Sequence, residues 1–349
     1  MDGQDDDEGQ EDPNYRDIFA KKMSIQKSEL KKGNFAANID DNEKSRQGNY
    51  ANYDDEQLRS LHEVDRITRL FNLLSHDNIY ISEQISILLA NVSNSPYFRH
   101  IFVTDRCMKS LLKILRDQNN DQVARVSQLA ALIVVLNLTS MNDIIVGMEN
   151  MKFMQTLQDI IKDENLPYVN KSISLLAISN IQTVSKKVMT QISAQTKDFA
   201  FSVLLNWERI LNEEKQSEEV VKNLVYASLI LFYNLILKKV GTPETINQLI
   251  NVITDRILAF DDNQIINVVL ELITLFTRKK ETSDYIFQKQ RILDYVFGKL
   301  TEDNQETLRL AALALSRLAA RLDEYNSDLF IKNLKEFREF NTVVENINR

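Results

Sequence analysis

Residues 174–181 read Ser-Leu-Leu-Ala-Ile-Ser-Asn-Ile, apolar or small nearly all round a helix and interrupted by one amide, Asn180. A helix without a polar face has to be buried on most sides. The same design returns as Ser-Ile-Leu-Leu-Ala-Asn-Val at 86–92, Ala-Leu-Ile-Val-Val-Leu-Asn-Leu at 131–138 and Ser-Leu-Ile-Leu-Phe-Tyr-Asn-Leu at 228–235. It returns again as Val-Leu-Glu-Leu-Ile-Thr-Leu-Phe at 269–276 and Ala-Leu-Ala-Leu-Ser-Arg-Leu-Ala at 312–319. Laid on one another, these segments place Asn91, Asn137, Asn180, Asn234, Thr274 and Arg317 at one position, with intervals of 46, 43, 54, 40 and 43 residues. Amphipathic segments such as 108–115 and 292–300 fill the intervals. A period near 40–47 with two or three helices per unit marks an α-solenoid. One unit cannot cover its own apolar face, and stacking units buries a continuous core. The sequence therefore predicts one elongated all-α domain of about six units over 54–349.

The rest of the body agrees. From about Asp54 onward apolar residues recur at helical spacing, as in Leu58, Leu61, Val64, Ile67, Leu70, Phe71 and Leu74. Breakers stand as isolated punctuation at 75–78, 93–96, 117–121, 163–167, 241–243, 261–263 and 301–304, and several offer helix N-caps. Only 7 glycines and 4 prolines occur in 349 residues, too few for the frequent turns of a sandwich or barrel. No segment reads as a strand.

Residues 1–53 are different. Seven acids crowd the first twelve positions: Asp2, Asp5, Asp6, Asp7, Glu8, Glu11 and Asp12. Six bases then follow between Arg16 and Lys32, against Asp17 and Glu29. The segment lacks any helical or strand period and has little apolar surface to bury, so it is expected to be disordered when free. The stretch 15–32 could fold as a helix on a partner.

The net charge of −8 sets the chain's own field against phosphate, which disfavours general nucleic-acid binding and suits basic partners. The single cysteine, Cys107, excludes a disulfide framework and an all-cysteine zinc site. The acidic N-terminus is no secretory signal. The longest near-apolar stretches, 129–138 and 226–237, are shorter than the roughly 18–20 residues that cross a bilayer. A soluble protein of a reducing compartment is expected. The glycines match neither a GxGxxG nor a GxxxxGK[ST] phosphate loop, and His62, His76 and His100 lack zinc-ligand spacing. Met148, Met151 and Met154 read as core packing. A non-catalytic protein with no cofactor and no metal is expected.

The repeats resemble armadillo repeats, in which the third helix of each unit ends in a pattern like Leu-x-Asn-Leu and the asparagines line a concave groove. The resemblance covers about 60–335 and implies a right-handed α-solenoid. Asn91, Asn137, Asn180 and Asn234 are then candidates to grip the backbone of an extended peptide, since an amide supplies both donors and acceptor. Within this family the chain looks like a short, divergent importin alpha. The segment 21–32, Lys-Lys-Met-Ser-Ile-Gln-Lys-Ser-Glu-Leu-Lys-Lys, is similar to a degenerate importin-beta-binding segment. Lys21, Lys22, Lys27, Lys31 and Lys32 would bind importin beta or fold back into the groove as an autoinhibitor. The resemblance implies nuclear import of basic, nuclear-signal-type cargo, with residence in cytoplasm and nucleus. The tryptophans that stand four positions before the groove asparagines in importin alphas are here Ile87, Ile133, Leu176 and Ile230, and the lone Trp207 belongs to another helix. Those departures leave a second reading open, an armadillo scaffold of a cytoskeletal, ciliary or centrosomal assembly. Arg309, Arg317 and Arg321 share one helical face near the C-terminal end, either solvated or available to an acidic segment.

Overall fold

The computed structural model describes residues 65–335 apart from short breaks at 75, 96–97, 99–100, 103, 118–120, 141–144, 146–147, 149–151, 185–190, 241, 322–326, 329 and 333. The chain divides into two units, 1–58 and 59–349. The candidate lysines Lys21, Lys22, Lys27, Lys31 and Lys32 lie outside the described residues. Among the described residues every regular element is a helix.

After a helical stretch at 65–74 the order is α1 (Ile79–Asn94), α2 (Asp105–Leu115), α3 (Gln122–Leu138), α4 (Phe153–Lys162), α5 (Tyr168–Val184), α6 (Ala194–Asn212) and α7 (Glu218–Leu237). Then come α8 (Pro243–Val252), a π turn (Ile253–Ile257), α9 (Asn263–Phe276), α10 (Lys280–Phe287), α11 (Gln290–Gly298), a short 3-10 turn (Lys299–Thr301) and α12 (Gln305–Ala319).

The sequence breakers start the helices. Asn78 accepts from Tyr80 N, Asp121 from Ala124 N, Asp262 from Gln264 N and Ile265 N, and Asn304 from Glu306 N and Thr307 N. Thr242 accepts from Thr245 N and is followed by Pro243, whose missing N–H costs nothing in a first turn. Each cap supplies an acceptor to a donor that has no partner within the helix.

The six predicted apolar segments lie on α1, α3, α5, α7, α9 and α12, and these helices pack in that order: α1 on α3, α3 on α5, α5 on α7, α7 on α9 and α9 on α12. They form one continuous inner row. The outer helices pack on it and on each other, α4 on α5, α6 on α7, α11 on α12. Burial follows. Twelve of the seventeen residues of α3 are buried, including Leu129, Leu132, Val134, Val135 and Leu138. Met148 and Met154 are core residues, as expected, while Met151 lies outside the described residues. Cys107 is buried on α2.

Two features depart from the simple reading. α12, apolar nearly all round in sequence, leaves Ala312, Leu313, Ser316 and Arg317 exposed. The long interval between Asn180 and Asn234 holds α6, a 19-residue outer helix bent at Asn206, whose φ of −120° and ψ of 21° are not helical. Trp207 follows the bend. Its indole Nε1 donates to Arg256 O of the π turn at 3.2 Å and its ring meets Phe260 at 4.4 Å between centroids. The tryptophan thus ties two outer elements together.

α7 spans 20 residues and is long and apolar enough to cross a membrane by composition, which the 226–237 stretch alone is not. Most of it is buried between α5, α6 and α9.

Candidate functional site

Hydrogen bonds between successive inner helices fix how the row is stacked. Asn137 Nδ2 on α3 donates to Ala90 O at 3.2 Å and to Ser93 Oγ at 2.9 Å, both on α1. Asn180 Nδ2 on α5 donates to Thr139 Oγ1, at the end of α3, at 3.2 Å. Asn234 Nδ2 on α7 donates to Ser179 O on α5 at 2.9 Å. Further along, Thr307 Oγ1 donates to Asn267 Oδ1 and Arg321 donates to Arg278 O. Each partner lies about one repeat back in sequence and at an equivalent height. The inner helices therefore run parallel and end on one edge.

The four candidate asparagines take different places. Asn91 is exposed and Asn180 half-buried. Asn137 and Asn234 are only 6% and 4% exposed. Their amides hold one repeat to the one before, at carbonyls near the helix ends. A repeated letter in the sequence thus carries two duties, a clamp between helices and a polar group on the open side.

That open side is the stripe of inner-helix residues which neighbouring and outer helices leave exposed or half-buried. On α1 it carries Tyr80, Gln84, Leu88 and Asn91. On α5 it carries Leu176 and Asn180. On α7 it runs through Glu219, Lys222, Tyr226, Ile230 and Tyr233, and on α9 through Gln264, Asn267, Glu271 and Thr274. Tyr226, Tyr233 and Glu271 were not candidates from sequence; their signal was the 3.6-residue spacing of the polar and aromatic positions within otherwise apolar helices.

These groups interact. Burial raises the Glu271 carboxyl above its ordinary value, the nearby Glu306 raises it further, and Arg309 and a hydrogen bond with Tyr233 oppose the rise. Burial also raises the phenols of Tyr226 and Tyr233, and the charge of Glu271 adds to both. Arg309 is gripped at two points by Glu306, at 2.9 and 2.5 Å, so this base is already neutralised within its own helix. A cation brought against Glu271 and the two tyrosines would meet a carboxylate short of counter-charge beside two half-buried aromatic side chains.

Two clefts open between helices. One of about 440 Å³ is polar and lined by Arg116, Arg125, Gln128, Thr156 and Asp163 among others. The other, about 490 Å³, lies between α6 and the end of α7, lined by Phe201, Leu205, Phe232, Leu235 and Val240 among others. A buried lysine, Lys171, sits with its Nζ 5.4 Å from the Tyr168 ring centroid and 5.7 Å from that of Phe199. Burial lowers its pKa, while Asp163, Glu164 and Glu214 act against the shift. Tyr168 beside it is pushed up to about 12 by burial and then by Glu214. This cluster fastens α5 to α6.

No protein-family model matches the sequence, and no curated protein matches it. Solved structures do. A designed armadillo repeat protein, YIII(Dq)4CqI, superimposes with a TM-score of 0.54 at 14% identity, over 72% of this chain and 99% of its own. The fold is an armadillo-type, right-handed α-solenoid. A second designed armadillo repeat protein, YIII(Dq.V1)4CPAF in complex with the peptide (KR)4, gives 0.52 at 13% identity over 72% of this chain and 99% of its own. A structure from work on a conserved phosphorylation switch in the interaction between cadherin and beta-catenin gives 0.58 at 12% identity, over 73% of this chain and 54% of its own. At these identities the likeness is one of backbone fold alone.

Proposed function

We propose that this armadillo solenoid is a protein-binding adaptor that receives an extended, basic peptide along the open side of its inner helices. The observation that carries the reading is the Tyr226–Tyr233–Glu271 stripe, an aromatic and acidic surface on two adjacent parallel helices. Lysine and arginine side chains suit both parts, since ring faces attract cations by about 0.5–2 kcal/mol each and the carboxylate supplies counter-charge. Exposed Asn91 and half-buried Asn180 offer amide groups to the peptide backbone, while Asn137 and Asn234, with the Asn180–Thr139 bond, keep adjacent repeats in register. That a designed armadillo protein is described with (KR)4 supports a basic ligand for this backbone.

The finer reading is importin-alpha-like. The cargo is a nuclear-signal-type segment, Lys21, Lys22, Lys27, Lys31 and Lys32 engage importin beta, and the protein moves between cytoplasm and nucleus.

Titration of a labelled lysine-rich nuclear-signal peptide into the full chain tests the groove. Saturable binding that weakens at least fivefold in Glu271→Gln or Tyr233→Ala supports it. Equal binding in these variants and the parent removes it. Retention of the full chain on immobilised importin beta, lost when Lys21, Lys22, Lys31 and Lys32 become Glu, tests the import reading separately.

A further inference from the structure

Because the inner helices run parallel, their C-terminal ends share an edge, and that edge is basic. Lys239 follows α7, Arg278, Lys279 and Lys280 follow α9, and Arg317 and Arg321 close α12; all six are exposed. The ends are physically adjacent, since an Arg321 guanidinium N–H donates to Arg278 O at 3.1 Å. Among the described residues none of the six has a carboxylate within ion-pair distance. The helices that begin at the edge contribute Glu244 and Glu281.

Bases at helix C-termini are ordinarily explained by the helix dipole. Here that explanation covers only some of them. Lys279 is the N-cap of α10 and makes no side-chain cap bond, and Lys280 is its first residue. Positive charge at a helix N-terminus opposes the dipole. Lys239 holds φ 61°, a left-handed conformation that ordinarily falls to glycine. Lys239 thus sits where its backbone argues against it, and the ends of α9 and α10 act with opposite sign on Lys279 and Lys280, in a chain whose net charge is −8.

We infer that this edge is a docking ridge for an acidic, carboxylate-rich peptide segment of a partner protein. The ridge is independent of the basic-peptide groove, because it lies at helix ends rather than along helix sides. Packed helices stand about 8–10 Å apart, so three adjacent ends span about 20 Å. An extended chain covers that in about six residues, with acids every third residue meeting successive helix ends. A partner peptide fits better than nucleic acid, whose long phosphate array would also meet the acidic remainder of the chain.

The test is fluorescence anisotropy of the full chain with a labelled twelve-residue Glu/Ser peptide at low salt. The ridge double reversal Lys279→Glu with Lys280→Glu is compared with Lys109→Glu with Lys113→Glu on α2, an equal change of charge. The inference expects saturable binding that falls tenfold or more in the ridge variant and less than threefold in the control. Glutamates there favour the start of α10 and disfavour the end of α9, so the ridge variant should melt close to the parent; Arg317→Gln gives a second reading, with a loss of about threefold. Equal weakening in both double variants, no saturable binding by the parent, or tighter binding of a duplex DNA of equal charge overturns it.

Discussion

Asn137 can be compared directly with Asn91, which holds the same repeat position one unit earlier and is opposite in burial. The Asn137 amide reaches Ala90 O and Ser93 Oγ from a site 6% exposed. Truncating it strands acceptors inside the stack, at a cost of about 1–3 kcal/mol. Asn137→Ala should therefore lower the urea midpoint clearly, and by more than Asn91→Ala at an exposed position. Equal losses would mean that the clamp does not exist. The amides were legible in the sequence as a periodic letter; their directions were not, because direction depends on the rotation between repeats. Glu271 gives a pH prediction. Its carboxyl titrates above the ordinary carboxylate range because burial and Glu306 favour the neutral form. A bound lysine favours the ionised form. Affinity for a basic peptide should then fall as pH drops through the raised Glu271 pKa, and Glu271→Gln should flatten that fall. Identical pH profiles for the parent and Glu271→Gln would exclude Glu271 from the site.

Individual helices were the most legible part. Asn78, Asp121, Thr242 with Pro243, Asp262 and Asn304 announce helix starts by residue type, and each makes the cap bond. The bend at Asn206 and the π turn at Ile253–Ile257 carry no glycine, proline or cluster of breakers, so periodicity alone passes through both. Lys152, Lys215 and Lys239 all hold positive φ. In a chain with seven glycines the left-handed positions fall to other residues, and a glycine-based reading misses them. Lys239 closes α7 in a reverse turn, its N–H donating to Ile236 O at 2.9 Å and that of Val240 to Leu235 O at 2.8 Å. A left-handed non-glycine residue costs about 1–2 kcal/mol. Lys239→Gly should therefore raise stability in thermal or urea melts by about 1 kcal/mol, less the flexibility that glycine adds to the unfolded chain. The same variant should bind the Glu/Ser peptide less well. A destabilised Lys239→Gly would show that the lysine stem packs favourably enough to outweigh its backbone strain.

At the scale of the whole molecule, the row of inner helices was visible because six apolar segments at a near-constant period cannot be buried by any one repeat. The open side was harder to see, since it is defined only once neighbouring helices have covered everything else. Stability in such a stack is shared between repeats and their interfaces, so unfolding should not follow a single two-state transition. Circular dichroism and tryptophan fluorescence, the latter reporting on Trp207 alone, should give different urea midpoints; coincident curves would argue for one cooperative unit. The most direct measurement of the central claim is hydrogen exchange of the full chain with and without a saturating basic peptide. The stripe on the inner helices predicts added protection in α5, α7 and α9, with the outer helices α2, α4 and α10 unchanged. Protection confined to the outer helices, or spread evenly over both rows, would contradict it.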